Sequence, residues 1–140
     1  MNKNYNPLIT YFFVNKSLKM SSGKIGVQTA RAGQVMLLEE IEKDDTLLLS
    51  SLSELFKEET MRGNKTICLK ASQSQMKRIL SGDLNDELSE LSKEKNVPIR
   101  LYPVTDIGAT EVPENSLTVI AMTPVKQSII KEFTKKFQLY

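Results

Sequence analysis

Short apolar runs alternate with longer amphipathic segments along this chain, and the alternation predicts strands separated by helices. Four runs have the length and the β-branched or aromatic composition of strands: residues 8–14, 66–70, 98–104 and 117–122. Helices are predicted over residues 24–42, 50–60 and 72–95 (with a break at Gly82-Asp83), and a last helix from Thr123-Pro124. This succession is typical of a three-layer α/β/α domain with a small mixed sheet of about four strands. Residues 1–140 fit one such domain.

The first predicted helix carries different side chains on different faces. An apolar stripe is expected to pack on the sheet beside small residues that allow a close approach. The stripe holds Ile25, Thr29, Ala32 and Met36, and the small residues are Gly26, Ala30 and Gly33. Lys24, Gln28 and Arg31 follow the spacing i, i+4, i+7, so they share a cationic face that is expected opposite the packing face.

The residue content limits the chemistry. The 140 residues include no His and a single Cys, Cys68, which lies in the second predicted strand and is expected in the core. Without His, the chain has no Ser-His-Asp or Cys-His nucleophilic site and no imidazole metal site. One Cys supports neither an internal disulfide nor a thiolate cluster. A catalytic site must therefore use Lys, Arg, Asp, Glu, Ser, Thr, Tyr or backbone groups.

The formal net charge of +2 is unevenly distributed. Residues 1–36 hold five bases and no acid, whereas residues 37–62 hold three bases and eight acids. This pattern fits either binding surfaces or a solvated helix face beside an acidic loop. No run approaches the roughly 18 apolar residues that a membrane-spanning helix needs, and the early run fits a buried strand better than a signal peptide. We therefore expect a cytoplasmic protein with no membrane partner.

Two segments are candidates for binding or catalysis. In the first, a strand leads through a Ser/Gly turn into a helix at Gly23-Lys24. This segment lacks the full phosphate-loop motif, yet the N–H groups at a helix start favour an anion. The second segment, residues 106–113, follows the third strand at its carboxyl end, where open α/β sheets place ligands. A solvated helix face and an ordinary Asp-x-Gly turn remain the structural alternatives for the two segments.

Taken together and in order, these segments resemble the type II peptidyl-tRNA hydrolases. Residues 18–28 are similar to the family pattern L-K-M-x-x-G-K-x-x-x-Q, and residues 106–113 to D-x-G-x-T-Q/E-I/V-P. Residues 118–124 resemble the family strand T-V-x-A-x-G-P, and the ending Phe137-Gln138-Leu139-Tyr140 resembles its K-L-Y ending. The similarity extends over nearly the whole chain.

The resemblance implies hydrolysis of the ester that joins a peptide to the terminal ribose of tRNA, without metal or cofactor. It implies peptidyl-tRNA as the partner and a possible homodimer. The family's catalytic residues correspond to Lys24, Asp106, Thr110 and Thr118. Substrate contacts are expected from Lys16, Lys19, Gly23, Gln28 and Arg31.

Several positions depart from the family pattern. Arg31 stands where the family usually has His, and Asn15 and Ser17 replace an Arg/Asp pair. A Trp common before the second strand is missing near Glu59. These departures leave two alternatives to an active hydrolase. One is a weakened or inactive hydrolase-like module that binds tRNA or a protein, and the other is an interaction protein that uses the acidic residues 37–62.

Overall fold

Five strands form one mixed sheet in the order β3-β4-β1-β2-β5 in the computed structural model, which describes residues 6–43, 65–108 and 110–140. The strands are β1 (Leu8–Asn15), β2 (Thr66–Ala71), β3 (Leu101–Asp106), β4 (Ser116–Lys126) and β5 (Gln138–Leu139). The helices of the described ranges are α1 (Ser22–Lys43), α2 (Gln73–Ser81), α3 (Asp83–Lys95) and α4 (Gln127–Thr134), with a 3-10 turn at Lys16–Leu18. The three-layer α/β/α prediction is confirmed, with five strands instead of about four.

Alternation along β1 divides the core between the two faces of the sheet. Tyr11 and Phe13 point to the larger core, which α2, α3 and α4 cover, whereas Phe12 and Val14 point to the core under α1. β1 runs parallel to β2 and antiparallel to β4, and β4 is antiparallel to β3. The carboxyl ends of β1 and β3 therefore lie at the same edge of the sheet, together with the start of α1.

The region that follows β2 agrees with its prediction. Ser72 accepts from the Gln75 backbone N–H while the Gln75 side chain accepts from the Ser72 N–H, which forms a capping box. The helical region breaks at Gly82 and ends at Asn96 in a left-handed conformation.

Cys68 is only half-buried against the core under α1, and this burial raises the pKa of its thiol.

Two boundaries predicted around prolines are wrong. β3 begins at Leu101, three residues after Pro98. No helix begins at Thr123-Pro124, because β4 continues to Lys126 and α4 starts at Gln127. The β1–β4 register shifts between Ile9 and Tyr11. Pro124 is tolerated in the strand because it lies opposite this irregularity, where its missing N–H interrupts no regular ladder.

The packing face of α1 is also rotated from its prediction. Its buried residues are Gln28, Ala32, Met36 and Glu40, while Ile25 and Thr29 are only half-buried and Gly26 and Ala30 are exposed. Gly33 alone of the small residues meets the sheet, where a Cβ would lie 3.7 Å from the Phe12 ring. Gln28 therefore faces the sheet, and its predicted place on a face opposite the packing side is wrong.

The helix predicted over residues 50–60 lies outside the described residues, as do the Trp position near Glu59 and most of the acidic residues 37–62. Within the described ranges, every helix is too short or too polar to cross a membrane.

Candidate active site

The first turn of α1 is fixed by a serine cap. The Ser21 hydroxyl accepts from the Lys24 backbone N–H at 3.2 Å, and the Ile25 N–H bonds to the Ser21 carbonyl at 2.9 Å. A Ser at this position satisfies one of the N–H groups that a helix start leaves open. The cap sets where α1 begins and therefore which face carries Lys24.

Asp106 closes β3 and is 6% exposed. Its Oδ2 accepts from the Gly108 N–H at 2.9 Å, and its Oδ1 accepts from Lys24 Nζ at 3.2 Å and Gln28 Nε2 at 3.3 Å. The Gly108 N–H, more than the Lys24 ammonium, lowers the pKa of this carboxyl below its usual 3.8, and burial opposes the change. Asp106 is therefore a stable anion at neutral pH.

Lys24 joins α1 to the loop after β3. Its Nζ donates to Asp106 and also to the Thr110 hydroxyl at 2.9 Å, and its side chain is 9% exposed. Thr110 itself is exposed. A lysine ammonium has three N–H donors. The described partners use two of them.

Beneath Lys24 lies a buried pair that connects α1 to β4. The Thr118 hydroxyl donates to Gln28 Oε1 at 2.7 Å, with the Val104 carbonyl as a second acceptor at 3.2 Å. Thr118 is 0% exposed and Gln28 2%. The amide of Gln28 thus accepts from Thr118 and donates to Asp106, which fixes its orientation. Both residues lie below the surface that a substrate can reach.

A register irregularity turns Thr118 toward α1. Val104 pairs with Val119, but the next residue, Thr105, pairs with Leu117, so Thr118 is an extra residue in β4. A β-bulge of this kind changes the direction of a side chain, and such bulges are frequent next to active sites. The Asn15 side chain, which is fully buried, supports this place by donating to the Leu117 carbonyl at 2.9 Å.

Glu111 is a residue to which the sequence pattern assigned no role. Its Oε1 accepts from the Ser21 N–H and its Oε2 from the Ser21 hydroxyl, both at 2.8 Å. The Ser21 N–H, followed by the Ser21 hydroxyl, lowers the pKa of the Glu111 carboxyl. The start of α1, predicted to attract an anion, thus binds a carboxylate of its own chain. The Q/E position of the 106–113 motif was the one signal for it.

The predicted substrate contacts lie around this centre. Arg31 is exposed on α1, its Nη1 donates to the Thr105 carbonyl at 3.4 Å, and its charge contributes to the low pKa of Asp106. Gly23 is exposed, and a Cβ there would lie 4.0 Å from the Ser21 hydroxyl oxygen. Lys16 and Lys19 are exposed directly after β1, at the same edge of the sheet as Asp106.

The residues that replace the family's Arg/Asp pair form a different connection. Asn15 Nδ2 donates to Gln73 Oε1 at 2.6 Å, and the Ser17 hydroxyl accepts from the Gln73 N–H at 2.9 Å. Asn15 and Ser17 therefore hold the start of α2 against the end of β1. Their contacts in the described structure do not include Lys24 or Asp106.

The arrangement suits electrostatic stabilisation and the orientation of a polar molecule. It combines an ammonium, a carboxylate held anionic and an exposed hydroxyl. In the described ranges, no three His, Cys, Asp or Glu side chains come close enough together to hold a metal ion.

Comparisons with known proteins point to one family. The sequence model of peptidyl-tRNA hydrolase PTH2 matches residues 8–140. A peptidyl-tRNA hydrolase of Staphylothermus marinus is 30% identical over 128 residues, which cover 90% of this chain and 89% of that protein. A peptidyl-tRNA hydrolase of Thermococcus onnurineus is 27% identical over 129 residues, covering 90% and 92%. With a match over nearly its whole length, this chain belongs to the peptidyl-tRNA hydrolase PTH2 family.

Proposed function

We propose that this chain hydrolyses the ester bond of peptidyl-tRNA, releasing the peptide and free tRNA, with Lys24, Asp106 and Thr110 at the reacting centre. One observation carries the assignment of the site: Lys24 Nζ bridges Asp106 at 3.2 Å and Thr110 at 2.9 Å. These three side chains come from α1, the end of β3 and the loop beyond, and they meet at the surface. Family membership supports the reaction, and the geometry supports the residues.

In this proposal Asp106 orients the attacking water and holds Lys24 in place. A carboxylate offers about four acceptor positions, of which three receive Gly108, Lys24 and Gln28. The remaining position on Oδ2 accepts a hydrogen bond from water. Because its pKa is lowered, Asp106 is too weak a base to take the full proton at neutral pH.

Lys24 and Thr110 stabilise the charge that develops on the ester. As the water oxygen bonds to the carbonyl carbon, negative charge builds on the carbonyl oxygen. In this scheme that oxygen accepts from the third N–H of Lys24 and from the hydroxyl proton of Thr110, neither of which is used in the contact between the two side chains. Donors fixed in advance in this way are worth about 3 kcal/mol of transition-state stabilisation each. The C–O bond to the ribose then breaks, the ribose oxygen takes up through solvent the proton that the attacking water releases, and the peptide leaves with the water oxygen in its new carboxyl group.

Gln28 and Thr118 act as positioning residues in this scheme. Their hydrogen bond of 2.7 Å is buried, so neither touches water or ester. The amide orientation that Thr118 imposes makes Gln28 donate to Asp106 Oδ1 and keeps that oxygen beside Lys24. This revises the expected roles, because Thr118 was grouped with the catalytic residues and Gln28 with the substrate contacts.

We propose that tRNA binds through phosphate contacts. The exposed cations Lys16, Lys19 and Arg31 lie at the sheet edge that holds Asp106. Gly23 is exposed and has no side chain, which lets the tRNA backbone approach the start of α1 closely. Binding of this kind is insensitive to sequence and weakens with salt, with a slope of about 0.9 per phosphate contact. Arg31→Ala should reduce that slope by about one contact.

The same proposal includes a homodimer and a cytoplasmic location. The dimer rests on the family resemblance and on the exposed apolar side chains of Leu37, Leu38 and Ile41 along the last turns of α1. The cytoplasmic location rests on the substrate, peptidyl-tRNA, and on the single Cys, which supports no internal disulfide. Sedimentation equilibrium of the wild type and of Leu38→Glu tests the dimer, which the variant should weaken.

The decisive experiment is single-turnover hydrolysis of peptidyl-tRNA with enzyme in excess. Wild type should cleave the ester, and Lys24→Met, which keeps the length of the side chain but removes the ammonium, should be at least about a hundredfold slower. Lys77→Met, at an exposed lysine of α2, is the matched control and should match wild type. If wild type binds tRNA but leaves the ester intact, the hydrolase assignment is wrong and the module is a binding protein.

A further inference from the structure

We infer that Glu111 and Ser21 form a clamp that positions Thr110 on Lys24 for catalysis. This inference rests on the proposed function, and it adds two residues to which the reaction assigns no part. We call this pair the Glu111–Ser21 clamp. It connects the loop after β3 to the first turn of α1.

The geometry of the clamp is bidentate. Both carboxylate oxygens of Glu111 accept from Ser21, one from the backbone N–H and one from the hydroxyl, each at 2.8 Å. The same hydroxyl accepts from the Lys24 N–H at 3.2 Å. Glu111 is therefore bonded to the residue that fixes the backbone of Lys24. Its negative charge also lies at the start of α1, where the helix dipole favours it.

The loop adopts a backbone that needs such support. Glu111 has a φ of 62°, in the left-handed region that residues other than glycine rarely adopt. The Val112 N–H bonds to the Thr110 carbonyl at 2.7 Å, so Glu111 is the middle residue of a three-residue turn. Such a conformation costs about 1–3 kcal/mol and persists only where its surroundings hold it.

Two anchors hold this turn on either side of Thr110. Val112 is 5% exposed and packs in the core under α1. Before Thr110, the chain folds back at Gly108, which has a φ of 85°, so closely that a Cβ there would lie 2.6 Å from the Glu114 backbone. Thr110 itself is exposed, and its hydroxyl meets Lys24 Nζ. The adjacent clamp is therefore what sets the distance between that hydroxyl and α1.

The test compares Glu111→Ala, Glu111→Gln and Glu114→Ala in steady-state hydrolysis of peptidyl-tRNA. Glu111→Ala should lower kcat about tenfold and leave KM within about twofold, because Thr110 acts in the transition state. Glu111→Gln should retain at least about half of kcat, since its amide still bonds to Ser21 twice. Glu114→Ala removes the same charge from an exposed position of the same loop and should match wild type.

Amide hydrogen exchange reports the clamp without substrate. Protection of the Ser21 and Val112 N–H groups should fall in Glu111→Ala and stay unchanged in Glu114→Ala. An active wild type with unchanged kcat in Glu111→Ala overturns the positioning role, as does a Gln variant that is no better than Ala. Unchanged protection in Glu111→Ala overturns the clamp itself. A wild type that does not hydrolyse peptidyl-tRNA overturns the proposed function instead, and exchange still decides whether Glu111 holds the loop.

Discussion

Helix α1 meets β3 through polar side chains at both of its ends, and the two ends differ in how far solvent reaches those side chains. At the first end, Lys24 and Gln28 contact Asp106. At the last end, Glu40 contacts Arg100 and Tyr102. The apolar residues Ala32 and Met36 lie between them on the same face, at intervals of four along the helix. One face of one helix thus provides both a candidate active site and a structural network.

The last end is closed. Glu40 is 0% exposed, and its Oε2 accepts from Arg100 Nη1 at 2.8 Å while its Oε1 accepts from the Tyr102 hydroxyl. Lys43 Nζ donates to the same hydroxyl at 3.0 Å and lies 3.8 Å from Glu40. Because both oxygens are buried with the rest of the Glu40 side chain, no substrate can reach them. Such a group fixes α1 on β3 but has no contact to offer a substrate.

The first end is open. Lys24 and Asp106 are each slightly exposed, and Lys24 reaches an exposed hydroxyl on Thr110. Part of each of these groups is therefore within reach of solvent. Burial of polar groups alone does not mark the site. The polar groups that solvent can reach mark it, and variants at the two ends should therefore divide into losses of rate and losses of stability.

The largest effect is expected at the open end. Asp106→Asn should slow ester hydrolysis about a thousandfold, equivalent to about 4 kcal/mol, because the neutral amide no longer holds the Lys24 ammonium or orients water. Single-turnover rates measure this loss. Asp86→Asn, at an exposed aspartate of α3, serves as the control. An Asp106→Asn enzyme within threefold of wild type would remove Asp106 from the mechanism.

The closed end should show the opposite pattern. Glu40→Ala leaves Arg100 and Tyr102 without their buried partner and should lower the free energy of unfolding by about 3 kcal/mol. Below the melting temperature of the variant, kcat should stay within about threefold of wild type. Urea unfolding measures the loss of stability. Glu42→Ala is the control, since Glu42 is an exposed acid two residues after Glu40. A large loss of kcat in fully folded Glu40→Ala would show that the two ends are coupled.

A smaller loss is expected at the buried pair under the open end. Thr118→Val keeps the shape but removes the hydroxyl that orients Gln28, and should lower kcat about tenfold and stability by about 1 kcal/mol. Thr118→Ser keeps the hydroxyl and should recover most of kcat. A Val variant with the kcat of wild type, or a Ser variant no better than Val, would mean that the hydroxyl of Thr118 does not determine kcat.

The two ends were also unequal in what the sequence could predict. The spacing of Lys24 and Gln28 and the Asp106 turn were visible as motifs, so the open end was found. The buried role of Glu40 was not predicted, because Glu40 lies in an acidic segment. An acid in such a segment is expected to be exposed to solvent unless its partners are known. Arg100 and Tyr102 are 60 and 62 residues away along the chain. Only tertiary contact turns such an acid into a core residue.

Inside the site, the features missed from the sequence are those with no periodic signal. The bulge at Thr118 depends on the pairing of β3 with β4, and a single strand does not reveal it. The Glu111–Ser21 clamp joins residues 90 positions apart. By contrast, the start of the helical region at Ser72 and its break at Gly82 depend on local signals, and both were predicted from the sequence. Local sequence signals therefore predict where the helices and strands lie, whereas contacts between distant residues determine which face of each element forms the site.

The smallest expected effect is on stability at acid pH, and it tests the Asp106 carboxyl at the open end. The pKa of Asp106 is lowered in the folded protein, first by the Gly108 N–H, so ionised Asp106 favours folding above its usual pKa of 3.8. That contribution is lost as the pH falls below about 4 and through the lowered folded pKa.

The difference in urea midpoint between wild type and Asp106→Asn should therefore become less favourable to wild type from pH 5 to pH 3. Because both proteins keep the other carboxylates whose pKa is lowered, including Glu111 and Asp83, their contributions cancel in the difference. A difference that stays constant over this range would show that Asp106 has the same pKa in the folded and unfolded chains. The hydrogen bonds at the open end would then contribute orientation without acid-dependent stability.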